Sequence, residues 1–276
     1  MATPRQQGAG QHVLTVDSTE WLTSHLVRVN ASSESLGGFG GNGYTDAYVK
    51  LVFVDPALGL EPPYDLAALR ASLPVDQRPV VRTYTVRRVD RAARRLAIDF
   101  VTHGDTGVAA VWAAKAAPGD RLVASGPGGA YAPDPAVGWH MFAGDLSALP
   151  AIAASLEALP SDARGVAHVE ITDPADVLDL DRPDHVTVNW LVNTDDSDTA
   201  FLARAVADGP WPATLDAPGA VQVFAHGERE SVKAIRAVLR DRGVPRETIS
   251  ISGYWARGRT EDAFQAEKRE PIGRID

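Results

Sequence analysis

The chain changes texture near residue 138. Before that point, short runs of alternating apolar and polar residues predict strands at His12–Val16, Leu22–Asn30, Tyr48–Val54, Val80–Val89, Arg94–Thr102 and Arg121–Ser125. A turn at Asp90–Ala93 joins two of them as a hairpin, and one helical stretch, Ala109–Ala117, interrupts the series. Six strands with short or glycine-rich links predict a small antiparallel barrel. Beyond residue 138 the pattern predicts strands at Trp139–Ala143, Val166–Thr172, Val186–Val192, Val221–Ala225 and Thr248–Trp255. Helices are expected between them at Ser147–Leu159, Thr199–Ala207 and Glu228–Arg242, the last with Val232, Ile235, Val238 and Leu239 on one face and Gly243 as its stop. Such alternation means a parallel sheet covered on both faces. The predicted organisation is therefore a tail over 1–11, a barrel domain over 12–137, an α/β domain over 138–260 and a charged tail over 261–276 that is helical or loose.

Composition narrows the function. The 276 residues, 45% hydrophobic, suffice for sizeable cores, and no apolar run approaches the length of a bilayer span. The first residues lack the apolar core of a secretory signal and read as a frayed tail, and the absence of cysteine leads to the expectation of a cytoplasmic protein. The chain has no cysteine, which excludes disulfides, thiolate catalysis, cysteine-ligated zinc and protein-bound iron–sulfur clusters. A formal charge of −9 argues against nucleic acid or anionic membranes as partners. The arginines nevertheless cluster at Arg82, Arg87, Arg88, Arg91, Arg94 and Arg95, on the predicted hairpin.

Three stretches bear on chemistry. GFGGNG, residues 38–43, fits the dinucleotide pattern letter for letter, but a strand-like run from Tyr48 follows it where a helix is required. It reads as a glycine-rich connection. RTYT, Arg82 to Thr85, puts Arg82 and Tyr84 on one face of a strand and Thr83 and Thr85 on the other. An arginine fork suits a pyrophosphate, and a tyrosine ring can stack on a flat heterocycle; by itself, however, the pattern reads first as an amphipathic strand with a solvated arginine. The run from Asp99 passes through His103 and Gly107 into an alanine-rich helix, whose first N–H groups, at Ala109 and Ala110, make an anion site. His103 reads as a turn residue and Trp112 as core.

Taken in order, RTYTVRRVD, DFVTHGDTG with WAAKAAPGD, SGPGG, AGDLSALPAIAASLEALP and HGERESVKAIRAVLRDRGV with SGYWARGRTED resemble the siderophore-interacting protein family. These are FAD-dependent ferric-siderophore reductases of the ferredoxin–NADP reductase-like flavoproteins. The resemblance runs from about residue 12 to 262. It implies a six-stranded antiparallel flavin-binding barrel followed by a parallel-sheet nicotinamide-binding domain. It further implies that Arg82, Tyr84 and Thr85 hold the FAD pyrophosphate and flank the ring, that Asp99, Phe100, Val101 and His103 line the flavin or its ribityl chain, and that Gly107, Ala109 and Ala110 give backbone donors to phosphate. It also implies Asp145 and Ser147 as cofactor-binding residues of the nicotinamide domain, with the Ser147 hydroxyl expected to cap the helix that follows. Lys50 falls where a basic residue faces the ferric chelate, and Arg257 and Arg259 stand in for arginines that members carry at the positions of Gly128 and Ala256.

The implied reaction passes electrons from NADH or NADPH through FAD to the iron(III) of a siderophore, with no catalytic acid or base assigned and no protein-bound metal. An external ferredoxin donor stays open. Asp173 and Asp176 follow the second parallel strand with no arginine for a 2′-phosphate, which leans toward NADH. Two other readings fit the residues, a general flavin or flavoprotein reductase and a siderophore-binding flavoprotein without turnover.

Overall fold

The protein is described here from a computed structural model covering residues 10–39, 43–104, 106–215, 217, 219–268 and 270–275. It divides into two compact units, residues 1–43 with 47–129, and residues 44–46 with 130–276.

The first unit is a closed barrel of six antiparallel strands in the order β1-β2-β5-β4-β3-β6. The strands are β1 Gln11–Trp21, β2 Leu26–Ser32, β3 Tyr48–Phe53, β4 Val80–Asp90, β5 Arg95–Val101 and β6 Arg121–Gly128. Alternation puts Leu14, Val29, Val49, Leu51, Ile98 and Phe100 into one core, with Tyr84 and Trp112 packed at its margin. β1 runs past its apolar stretch through Asp17–Trp21 because it pairs there with β2, whose first residue is Leu26 and not Leu22. Residues 22–25 form the turn, closed by Leu22 N donating to Leu26 O at 2.9 Å. The β4–β5 turn is held by Ala93 N on Asp90 Oδ1 (2.8 Å) and by Arg94 at φ 55°. Part of the arginine cluster is thereby explained, since Arg94 pairs with Glu34 and Arg95 with Asp17. Of GFGGNG, residues 40–42 lie outside the described residues; Gly38 ends a short 3-10 turn and the chain next enters β3, a strand.

Two helices flank the barrel strands in sequence. α1, Leu66–Ser72, was not expected: it buries no side chain, so it leaves no apolar stripe to read, and its sole local signal is Asp65 capping Ala68 N at 3.0 Å. α2, Val108–Lys115, follows the predicted one closely.

The second unit is a parallel sheet in the order β11-β10-β7-β8-β9. Its strands are β7 His140–Asp145, β8 Gly165–Ile171, β9 Val186–Val192, β10 Gln222–Glu228 and β11 Ile249–Trp255. α4 (Phe201–Asp208) and α5 (Arg229–Asp241) pack Leu202, Val206, Ile235 and Leu239 on one face. α3 (Leu149–Ala158) covers the other, close enough that a Cβ on Gly144 would stand 3.1 Å from Ile152 Cδ1.

Two boundaries differ from the sequence reading. Residues 130–137 belong with the sheet, because Ala130 N and Tyr131 N donate to Asp46 Oδ1 (both 2.9 Å) and Tyr131 packs on Phe142 and Phe224. The charged tail contains a helix, α6 Glu261–Glu267, that buries Phe264 within the second unit.

Candidate functional sites

In the barrel, the resemblance drew on β3, β4, β5 and the β5–α2 turn. In β4 the expected alternation breaks down after Tyr84. Tyr84 packs inward against Phe100 with ring centroids 4.4 Å apart and Thr83 is exposed, but Thr85 and Val86 are both covered, next to a register shift between Val86 and Arg88. Thr85 is buried, and Arg82 is half-buried with Nη1 on the Val81 carbonyl at 2.9 Å. Gly107 starts α2 at φ 82°, a conformation that favours glycine, and no side chain caps the helix. The first backbone bond of the turn is Val111 N to Gly107 O (3.1 Å), so the N–H groups of Val108, Ala109 and Ala110 precede it. A helix start without a capping side chain, on a glycine turn, is a cradle suited to a phosphate group. The residues therefore fit the pyrophosphate of a flavin dinucleotide.

Other expected cofactor residues sit differently. Asp99 is buried and held by Arg28 in a two-bonded pair, Nε to Oδ1 at 2.7 Å and Nη2 to Oδ2 at 2.8 Å. Phe100 is wholly buried between Tyr84 and Trp112, so it supports the barrel wall and offers no surface to a ligand. Val101 is half-buried at the end of β5, and His103 is exposed in the turn. Arg28, which fixes Asp99, was missed; opposite charges across the β2–β5 ladder were its only signal.

On the outer face of β3, Lys50 and Tyr48 are exposed, while Val49 and Leu51 enter the core. Val52, expected on the Lys50 face, is covered as well. Tyr48 explains the glycine at 128, where a Cβ would come within 2.3 Å of its Cζ. Ala256, the other position where an arginine was sought, is buried.

In the α/β unit, chemistry-bearing residues line the carboxyl ends of the strands: Asp145 on β7, Glu170 on β8, Asn193 after β9, Glu228 on β10 and Trp255 on β11. Asp145 is a fastener. Its carboxylate accepts from Ser147 N (2.9 Å), the Ser147 hydroxyl, Glu228 N (2.9 Å) and Trp255 Nε1 (2.8 Å). Ser147 therefore does not cap α3, which starts at Leu149 after an uncapped Ala148. Glu228 caps α5 instead, with Oε2 accepting from Glu230 N and Ser231 N at 2.7 and 2.9 Å. Sequence reasoning had placed Glu228 inside that helix.

Glu170 is buried beside Asn193, whose amide donates to it at 2.9 Å. Burial pushes its carboxyl pKa up, and the Asn193 bond only partly offsets this. Arg257 is the cation at this edge. Its Nη2 stands 3.9 Å from Glu170 Oε1, its guanidinium lies over Trp255 at 5.9 Å, and its Nη1 is buried without a hydrogen-bond partner. Arg259 is committed elsewhere, with Nε on Glu267 Oε1 at 2.6 Å. Asp173 is half-buried and caps a short turn through Ala175 N (2.9 Å), and Asp176 is fully buried.

Comparisons with known proteins agree with this division. A family model described as siderophore-interacting FAD-binding domain matches residues 15–131, and one described as siderophore-interacting protein matches 137–258. The chain is 36% identical to the ferric vibriobactin reductase ViuB of Vibrio cholerae over 262 residues, covering 90% of each chain. Among solved structures it is similar to the siderophore-interacting protein SipS from Aeromonas hydrophila, 31% identical with a TM-score of 0.78, covering 96% of this chain and 98% of that one. A siderophore utilization protein from T. fusca is 34% identical with a TM-score of 0.76, over 91% and 94% of the two chains. Barrel and parallel sheet together have the fold of ferredoxin reductases, to which more distant chains are similar.

Proposed function

The chain belongs to the siderophore-interacting protein family, and on that footing we propose that it reduces ferric siderophore with electrons drawn from NADH at the carboxyl edge of its parallel sheet. FAD is the family's cofactor, and the α2 cradle has the donors to hold its pyrophosphate. Bound FAD supplies the match between a two-electron donor and a one-electron iron acceptor. Arg82 and the N–H groups at Ala109 and Ala110 bind the phosphates, and Tyr84 and Thr85 flank the ring. Lys50 attracts the anionic chelate. Iron(II) is held less tightly by hard oxygen ligands, so reduction frees it. Dependence on a reduced nicotinamide fits a cytoplasmic address.

The single observation that carries the donor reading is Arg257. A buried guanidinium nitrogen without an acceptor costs free energy unless an anion completes it. Carboxyl ends of parallel strands are where dinucleotides bind, and a pyrophosphate is such an anion. This moves Arg257 from the chelate to the donor, and leaves Arg259 as a structural residue. NADH is favoured over NADPH because Asp195, Asp196 and Asp198 follow β9, and Arg204 nearby is already paired with Asp198 through Nη1 at 3.0 Å. A 2′-phosphate would meet three carboxylates there. Anaerobic mixing of the FAD-loaded protein with each nucleotide tests this. NADH should bleach the flavin band at lower concentration than NADPH, and a ferric siderophore should restore it. Bleaching by NADPH alone, or by neither, overturns the reading.

A further inference from the structure

The chain leaves β11 through a loop, Trp255–Arg259, that is fastened by three carboxylates. Trp255 Nε1 donates to Asp145 Oδ2 at 2.8 Å, Arg257 N to Glu228 Oε1 at 3.1 Å, and Arg259 Nε to Glu267 Oε1 at 2.6 Å. The first two carboxylates stand on sheet strands. The third ends α6, a seven-residue helix anchored by Phe264. The other oxygen of Glu267 accepts from Arg229 Nη1 at 2.5 Å, and Arg229 is itself 95% buried at the start of α5. Glu267 therefore ties the exit loop of one strand to the helix that follows its neighbour. Its two arginines, Arg229 foremost, hold its carboxyl below the usual range, so the tie stays charged at working pH.

We propose that Glu267 is a positioning residue for the electron donor. It holds Arg259, and with it the loop between Glu228 and α6, in the conformation that keeps the Arg257 guanidinium at the sheet edge. Arg257 is gripped by its own backbone on one side and by its neighbour two residues on, so loss of the outer fastening frees the loop to wander. Ordering it again must then be met by the binding energy of the donor. Glu267 touches neither nucleotide nor flavin; it acts through Arg257, and the inference rests on the donor reading above.

A double-mutant cycle on the FAD-loaded full-length protein decides it, with NADH as donor and a ferric trihydroxamate as acceptor. Arg257→Ala should raise the KM for NADH about tenfold, the loss of one modest charge-assisted contact. Glu267→Gln should raise it about fivefold with kcat at saturating NADH unchanged, the signature of lost uniform binding. In the Arg257→Ala background, Glu267→Gln should add nothing. Multiplying effects, a fall in kcat, or an unchanged KM in Glu267→Gln would overturn the proposal while leaving the donor reading intact. An unchanged KM in Arg257→Ala would overturn the donor reading, and the proposal with it. Should Glu267→Gln fail to fold through the buried Arg229, Arg259→Gln cuts the same link and leaves Arg229 paired; it should give the same KM shift and the same silence in the Arg257→Ala background.

Discussion

Acid should weaken the α/β unit before any carboxylate of ordinary pKa titrates, because that unit buries histidines in the neutral form. His140 is wholly buried, stacked against Phe142, with neither ring nitrogen hydrogen-bonded; burial drives its pKa down to about 4, and Asp134 offsets this only in part. His226 is buried on Phe224, with Nε2 3.0 Å from Ser250 Oγ; burial and then Lys268 bring it to about 3. His168 is lowered by burial as well. A histidine whose folded pKa is depressed contributes stability that is complete above its unfolded value, about 6.5, and is lost as pH falls below that value toward the folded one. At pH 5 the unfolded ring has bound its proton and the folded ring of His140 has not. The difference is about 2 kcal/mol for His140 and about the same for His226, together about 4 kcal/mol. Domain stabilities are about 5–15 kcal/mol, so the loss is large. Glu170 has the opposite sign, since its raised pKa favours the folded state as pH falls. Urea unfolding at pH 7.5 and pH 5, followed by tryptophan fluorescence, measures the loss. His140→Leu should reduce it by about 2 kcal/mol while changing stability at pH 7.5 little. An identical pH dependence in wild type and variant, or ring resonances of folded His140 titrating near pH 6.5, would refute the reasoning.

Asp145→Ala removes the acceptor for four donors and should destabilise the α/β unit by about 3 kcal/mol or more, read as a lower urea midpoint. Gly165→Ala should cost over about 3 kcal/mol, because its Cβ would lie 2.1 Å from the rigid His140 carbonyl oxygen. Gly128→Ala should cost under about 1 kcal/mol, because the obstacle is the exposed ring of Tyr48, which can swing away; thermal melts of both variants compare them. Arg82→Ala should weaken FAD binding by about 1.5–3 kcal/mol in a flavin titration of the apoprotein. An unchanged affinity there would remove Arg82 from the cradle.

The elements that were legible are those whose faces differ in environment. β3 shows its two faces in Val49 and Leu51 against Tyr48 and Lys50, and α5 shows its buried stripe in Val232, Ile235 and Leu239. α1 was invisible because nothing on it is buried, and the outer half of β1 because Asp17–Trp21 pairs as a strand without burying a side chain in the core. α6 was half legible: its charges read as a solvated tail, yet Phe264 is buried and Glu267 is spent on two arginines.

The site divides along the same line, between what neighbours in sequence decide and what the order of strands decides. The turn from Gly107 into α2 is local, so its glycine, its alanines and its donors could be read directly. The carboxyl edge is not local. Asp145 meets Glu228 across 83 residues and Trp255 across 110, because β10 lies between β7 and β11 in the sheet. Ser147 read as a cap because a hydroxyl before a helix usually caps it, but α3 starts only at Leu149 with Ala148 as its N-cap, and the Ser147 hydroxyl donates to the Asp145 carboxylate two residues earlier. Arg257 and Arg259 look equivalent in sequence, two residues apart in a basic run. The fold separates them: α6 brings Glu267 to Arg259 at hydrogen-bond distance, whereas β8 brings to Arg257 a carboxylate that stands 3.9 Å away, beyond hydrogen-bond reach. The weaker partner leaves a donor for an incoming anion, and which arginine keeps it is a property of the topology.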